Sequence, residues 1–115
     1  MSKYVQIDIR VLPAYGAGGL KGAFPNLYSI LENFSYDLVI EREPSLYEMV
    51  EVLVQIRNDP NVSESAKRPI VGAIDQIVKV RDEARELLLA RRLEELDRRL
   101  FRLEDLFADL EYKLG

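Results

Sequence analysis

Through the last quarter of the chain, apolar residues recur at alternating steps of four and three: Leu89, Leu93, Leu96, Leu100, Leu103, Phe107, Leu110 and Leu114. That spacing lays one narrow apolar seam along a helix, the pattern of a coiled coil. From Ile70 to Leu114 there is no proline, and the only glycine is Gly72. The periodicity therefore predicts one helix of about 45 residues, roughly 65–70 Å long at 1.5 Å per residue. Upstream, Ser45-Leu46-Tyr47-Glu48 fits a capping box, and Leu46, Met49, Val50, Leu53 and Ile56 follow it at helical spacing. Asn58-Asp59-Pro60-Asn61 reads as a turn, and the last helix starts between Ser63 and Pro69.

The first 44 residues follow a different rhythm. Val5, Ile7, Ile9 and Val11 alternate with Gln6, Asp8 and Arg10, which predicts a half-buried strand ended by Pro13. The stretch from Tyr15 to Gly22 carries Gly16, Gly18, Gly19 and Gly22, and it reads as a loop. Residues 24–34 admit two readings. Asn26 can cap a short helix whose face is Leu27, Ile30, Leu31 and Phe34, whereas Tyr28, Ile30, Phe34, Tyr36, Leu38 and Ile40 share one parity as in strands. The preferred reading is a helix to about Asn33, then a strand from Tyr36 to Arg42 stopped by Pro44. The expected architecture is α+β in a single domain: a strand–helix–strand unit over 1–44, a helical hairpin over 45–88 and a coiled-coil segment over 89–114.

A seam of this kind points to association. The helix from Leu46 to Arg57 is only about 18 Å long, too short to cover the leucines from position 96 onward, so the simplest cover is the same seam on a second copy. With Leu89, Leu96, Leu103 and Leu110 at d, and Leu93, Leu100, Phe107 and Leu114 at a, Arg92 and Arg99 fall at g while Asp97 and Glu104 fall at e. A parallel dimer sets Arg92 against Asp97 and Arg99 against Glu104, so the charges favour parallel pairing. Each exposed pair contributes only about 0–1 kcal/mol. Burial of a leucine, at roughly 1.5–3 kcal/mol, is the larger effect. Phe101 and Leu106 lie off the seam and call for a further helix or a partner to cover them.

Composition narrows the chemistry. The chain has 115 residues, 48% hydrophobic and 31% charged, which is globular with much exposed charge. A net charge of −4 argues against nucleic acid as a partner. The absence of cysteine and histidine removes disulfides, thiolate nucleophiles, the commonest metal ligand and the usual general base. The first residues hold no signal-peptide core and no apolar run reaches the roughly 18 residues of a membrane span, so a cytoplasmic protein is expected. Neither a catalytic residue nor a metal or cofactor site is expected.

Three features bear on chemistry. The glycine loop, Gly16, Gly18, Gly19, Lys21 and Gly22, sits where phosphate-binding loops sit, with Lys21 as the charge, but it matches neither the P-loop spacing nor the dinucleotide one. It is read as a connector or a partner-binding loop, with a phosphate-containing ligand as the alternative. Glu41 and Glu43, with Asp8, are read as charges on the solvent face of a sheet. Arg91, Arg92, Arg98, Arg99 and Arg102 alternate with Glu94, Glu95, Asp97 and Glu104 at ion-pair spacing and read as a solvated face. The functional expectation is a non-enzymatic homo-oligomeric adaptor, assembly or regulatory protein acting through protein–protein contacts.

Overall fold

Two serines start the two central helices. Ser45 accepts a hydrogen bond from the Glu48 amide at 3.3 Å, and Ser63 accepts one from the Ala66 amide at 3.3 Å. Each satisfies one amide that a helix start leaves orphaned. The computed structural model describes residues 9–115. In these residues the chain forms α1 (Gly19–Ala23), α2 (Pro25–Asn33), α3 (Asp37–Arg42), α4 (Leu46–Asn58), α5 (Glu64–Leu89) and α6 (Leu93–Leu114).

The expected α+β class is overturned, because no strand occurs among the described residues. Val5 and Ile7 of the first expected strand lie outside them, and Ile9 and Val11 are in irregular backbone. The second expected strand, 36–42, is α3. Leu38, Val39 and Ile40 are consecutive apolar residues, so periods of two and of 3.6 both fit. The helical subset won: Tyr36, Val39 and Ile40 pack against the core, while Leu38 stays exposed. Without a second strand, Ile9 and Val11 have no ladder to join. The preferred helix at 24–34 is present as α2, although Phe24 rather than Asn26 stands at its N-cap.

The single long helix is also corrected. It breaks at Ala90–Arg92, and α6 folds back along α5 as an antiparallel hairpin. The break is a Schellman motif. The Arg92 amide donates to the Leu87 carbonyl at 3.0 Å and the Arg91 amide to the Leu88 carbonyl at 3.1 Å, with Arg91 at φ +57°. That position is usually glycine, and its occupation by arginine is why no sequence signal marks the turn.

The molecule measures 51 × 28 × 26 Å, its long axis set by the hairpin. α4 packs on α5 and α6, and α2 on α6. The core between them holds Leu31, Leu53, Ile56, Ile74, Leu103 and Phe107, each almost wholly buried. Removing such side chains from water, at roughly 1.5–3 kcal/mol each, is what draws α6 back against its own chain.

Charge pins the frame. The buried Lys67 ammonium donates to the Asp59 carbonyl at 2.8 Å and the Arg57 carbonyl at 3.2 Å, closing the C-terminal end of α4 with a cation. Arg81, equally buried, meets Glu51 of α4 at 2.7 Å and Asp82 at 2.9 Å. Arg99 of α6 reaches Glu83 of α5 at 3.4 Å. No buried side-chain nitrogen or oxygen among the described residues lacks a partner.

Candidate functional site

The expected interface seam divides in two. Leu96, Leu103, Phe107 and Leu110 are buried in the chain's own core, and Leu100 and Leu114 are half-buried. A parallel seam would require pulling four of them out of that core. Only the hairpin end stays uncovered: Leu89 is 71% exposed and Leu93 54% exposed. α5 and α6 run past α4 there, since 26 and 22 residues outreach its 13.

The glycine loop is used internally. Gly16 and Gly19 both have positive φ, +84° and +63°, and the Gly19 amide donates to the Gly16 carbonyl at 3.1 Å. The next amide, of Leu20, donates to a Glu43 carboxylate oxygen at 2.5 Å. Gly18 caps α1, which has five residues, and a Cβ on it would crowd Gly22 at 3.2 Å. Lys21 turns aside, its ammonium 5.6 Å from the Tyr28 ring centre. A phosphate at this loop would have to displace Glu43 from the amide. Glu43, read from sequence as an exposed sheet charge, is thus a cap; Glu41 is exposed in α3, and Asp8 lies outside the described residues.

Glu111 plays the same part for α2. Phe24 has no side-chain acceptor and Pro25 follows it, so α2 has no local cap. The Glu111 carboxylate supplies one, accepting from the Asn26 amide at 2.8 Å and the Leu27 amide at 2.9 Å. The Asn26 side chain returns a bond to the Glu111 carbonyl at 3.1 Å.

What the sequence did not disclose is a cleft of about 520 Å³ between α6, the start of α4 and residues 11–15. Of the α6 side chains that line it, Leu103 is buried and Leu100 half-buried, while Asp97, Phe101, Glu104, Asp105 and Ala108 are exposed. At 100° per residue these five fall within one strip of the helix surface about 100° wide and roughly 17 Å long. The opposite walls carry Leu12, Tyr15, Phe24, Leu46 and Tyr47. Phe101 is 60% exposed, and Leu12 is more exposed still. Tyr15 and Phe24 meet edge to face with ring centres 6.1 Å apart, and Phe24 meets Phe107 likewise at 6.2 Å, which roots the floor in the core. The Tyr15 hydroxyl donates to the Pro44 carbonyl. Burial, then the charges of Glu43 and Glu48, push its pKa far above the usual tyrosine value, so it stays a donor. Among the described residues lining the cleft, three are carboxylates and none is Lys or Arg. The one sequence hint was that Phe101 lies off the seam; that Asp97, Glu104 and Asp105 flank it on the same strip needed the fold.

The arginines stay on the outer surface: Arg91, Arg92, Arg98, Arg99 and Arg102 are exposed, with Arg92 bonded to Glu95. No cluster of three or more metal-ligating residues occurs among the described residues. No helix among them is long and apolar enough to cross a membrane. Comparison of the chain with protein-family models, with curated proteins and with solved structures finds no match in any of the three.

Proposed function

We propose that this chain is a non-enzymatic cytoplasmic adaptor that acts through protein–protein contacts, receiving a basic, amphipathic segment of a partner in the cleft along α6. One observation carries this reading: Phe101 stands uncovered between Asp97, Glu104 and Asp105 on a single strip of α6. Exposed aromatics in concave surfaces are typical anchor points of interfaces, and the carboxylates select the sign of what approaches. A partner helix of about eleven residues matches the roughly 17 Å strip. It would set an apolar residue on Phe101 and Leu12 and place lysines or arginines over the acids. The net charge of −4 favours the same sign of partner at a distance.

The absence of cysteine makes a direct test simple. Ala108→Cys places one labelling site in the cleft wall for an environment-sensitive dye. The labelled chain is titrated with two synthetic eleven-residue helical peptides, one of leucine and lysine, one of leucine and glutamate. Saturable binding of the lysine peptide alone is expected, weakened by salt and by Glu104→Lys with Asp105→Lys. The control pair Asp75→Lys with Glu86→Lys makes the same change in net charge away from the cleft and should leave binding intact. Equal binding of both peptides, or equal loss in both variant pairs, would refute the assignment.

A further inference from the structure

The connection between α5 and α6 is at odds with its own sequence. Leu87-Leu88-Leu89-Ala90-Arg91-Arg92-Leu93-Glu94-Glu95-Leu96 contains no glycine, proline or β-branched residue, and every residue in it is a strong helix former. The seam register runs through the break without a slip, from Leu89 to Leu93 to Leu96. Locally, this segment specifies a continuous helix. The closed hairpin instead holds Arg91 at φ +57°, a conformation that L side chains other than Asn and Asp rarely take, and leaves Leu89 and Leu93 in water. What keeps it closed is the packing of α6 on α5, α4 and α2.

All of those contacts can be made equally well by the α6 of a second copy. We infer that the 90–92 connection is a hinge, and that the chain forms an exchanged dimer in which α5 and α6 become one helix and each α6 packs on the other copy. The continuous helix from Glu64 to Leu114 would be roughly 75 Å long. The Glu111 cap on α2, the Arg99–Glu83 pair and the α6 core residues are all retained, now between copies. At the crossing point the two hinge segments run antiparallel, and Leu89 and Leu93 of one copy cover those of the other. The second copy is the one occupant that already carries every complementary surface. Short hinges under local strain are the usual route to such exchange. The cleft survives in both forms, so peptide binding there is independent of this exchange.

The test uses the pair that reports on connectivity. Glu83 and Arg99 touch across the hairpin, and the chain has no other thiol to interfere when Glu83→Cys and Arg99→Cys are joined by a short bis-maleimide. Exchange requires α6 to leave the core, so the sample is unfolded and refolded at high concentration before linking. Covalent dimers are expected from concentrated samples and single chains from dilute ones. Relief of a left-handed hinge is worth roughly a fivefold factor or more, and a dimer relieves two, so Arg91→Gly should weaken dimerisation by at least about 25-fold. Arg91→Ile, which tolerates positive φ least, should strengthen it. Sedimentation equilibrium on the unsubstituted chain and its Arg91→Gly variant gives the same comparison without cysteines. Links formed only within single chains at every concentration overturn the inference. A dimer indifferent to Arg91→Gly does so equally.

Discussion

Glu111 sits near the end of the chain and caps a helix 85 residues earlier. Glu111→Ala removes both carboxylate bonds to the Asn26 and Leu27 amides at once. A lost local cap costs about 1 kcal/mol, and hydrogen bonds to a charged group run about 1.5–3 kcal/mol each. Two considerations pull the sum down. Glu111 is half-exposed, so water can reach part of the site, and the Asn26 side chain keeps its own bond to the Glu111 carbonyl. An expected loss of about 2–3 kcal/mol follows. Glu111→Gln keeps one acceptor oxygen but loses the charge that favours a helix start, and should fall near half that loss, about 1–1.5 kcal/mol. The assay is urea unfolding of the three proteins with m-values compared, together with hydrogen exchange at the Asn26 and Leu27 amides. Exchange at those two amides should accelerate in Glu111→Ala more than at amides in α4. A loss below about 0.5 kcal/mol, within the range of ordinary surface substitutions, or unchanged exchange at both amides, would refute the role assigned to this carboxylate.

Two glycines should respond in opposite directions to alanine. Gly72 is exposed inside α5 with nothing within 4 Å of an added Cβ, so Gly72→Ala should stabilise by about 0.5–1 kcal/mol in the same urea assay. Gly19 has φ +63°, and an added Cβ would lie 2.7 Å from the Glu43 carboxylate that accepts from Leu20; Gly19→Ala should cost about 1–2 kcal/mol, from backbone strain plus the displaced cap. Alkaline stability tests a third contact. Burial, then the hydrogen bond to Asp59 at 2.8 Å and the Asp59 charge, push the Tyr36 pKa from 10.0 up to about 12. The folded state holds this proton more tightly than the unfolded chain, so the contribution is complete below pH 10 and is lost as the pH rises through about 12. The thermal midpoint should therefore drop more steeply with pH above 10 in the parent than in Tyr36→Phe, and equal slopes would show that Tyr36 carries none of the dependence.

How far the fold could be read from the chain depended on whether its signals were local. The Ser45 start and the apolar face of α4 were legible because a capping box and a helical stripe are each written within a few residues. α3 was misread because Leu38, Val39 and Ile40 satisfy two periods at once, and only the neighbours of α3 choose between them. The cleft was illegible because it joins α6 to residues 11–15 and to the start of α4, segments far apart along the chain. The caps by Glu43 and Glu111 were hidden for the same reason.

The turn at Ala90–Arg92 is a different kind of failure. There the local reading was sound: ten residues of strong helix formers in an unbroken heptad register favour a straight helix, and nothing in their sequence opposes it. Tertiary burial overrode that preference, because within a single chain Leu103, Phe107 and Leu110 gain a dry core only if α6 reverses. Burying three such side chains, at roughly 1.5–3 kcal/mol each, outweighs about 1–2 kcal/mol of backbone strain at Arg91. The same comparison says when the local preference should return. If a second copy supplies the core, the burial is identical in both arrangements and cancels, and what is left is the hinge strain and two exposed leucines per chain set against the entropy of association. A sequence that writes a straight helix and a fold that bends it are then two outcomes of one set of interactions, with protein concentration choosing between them.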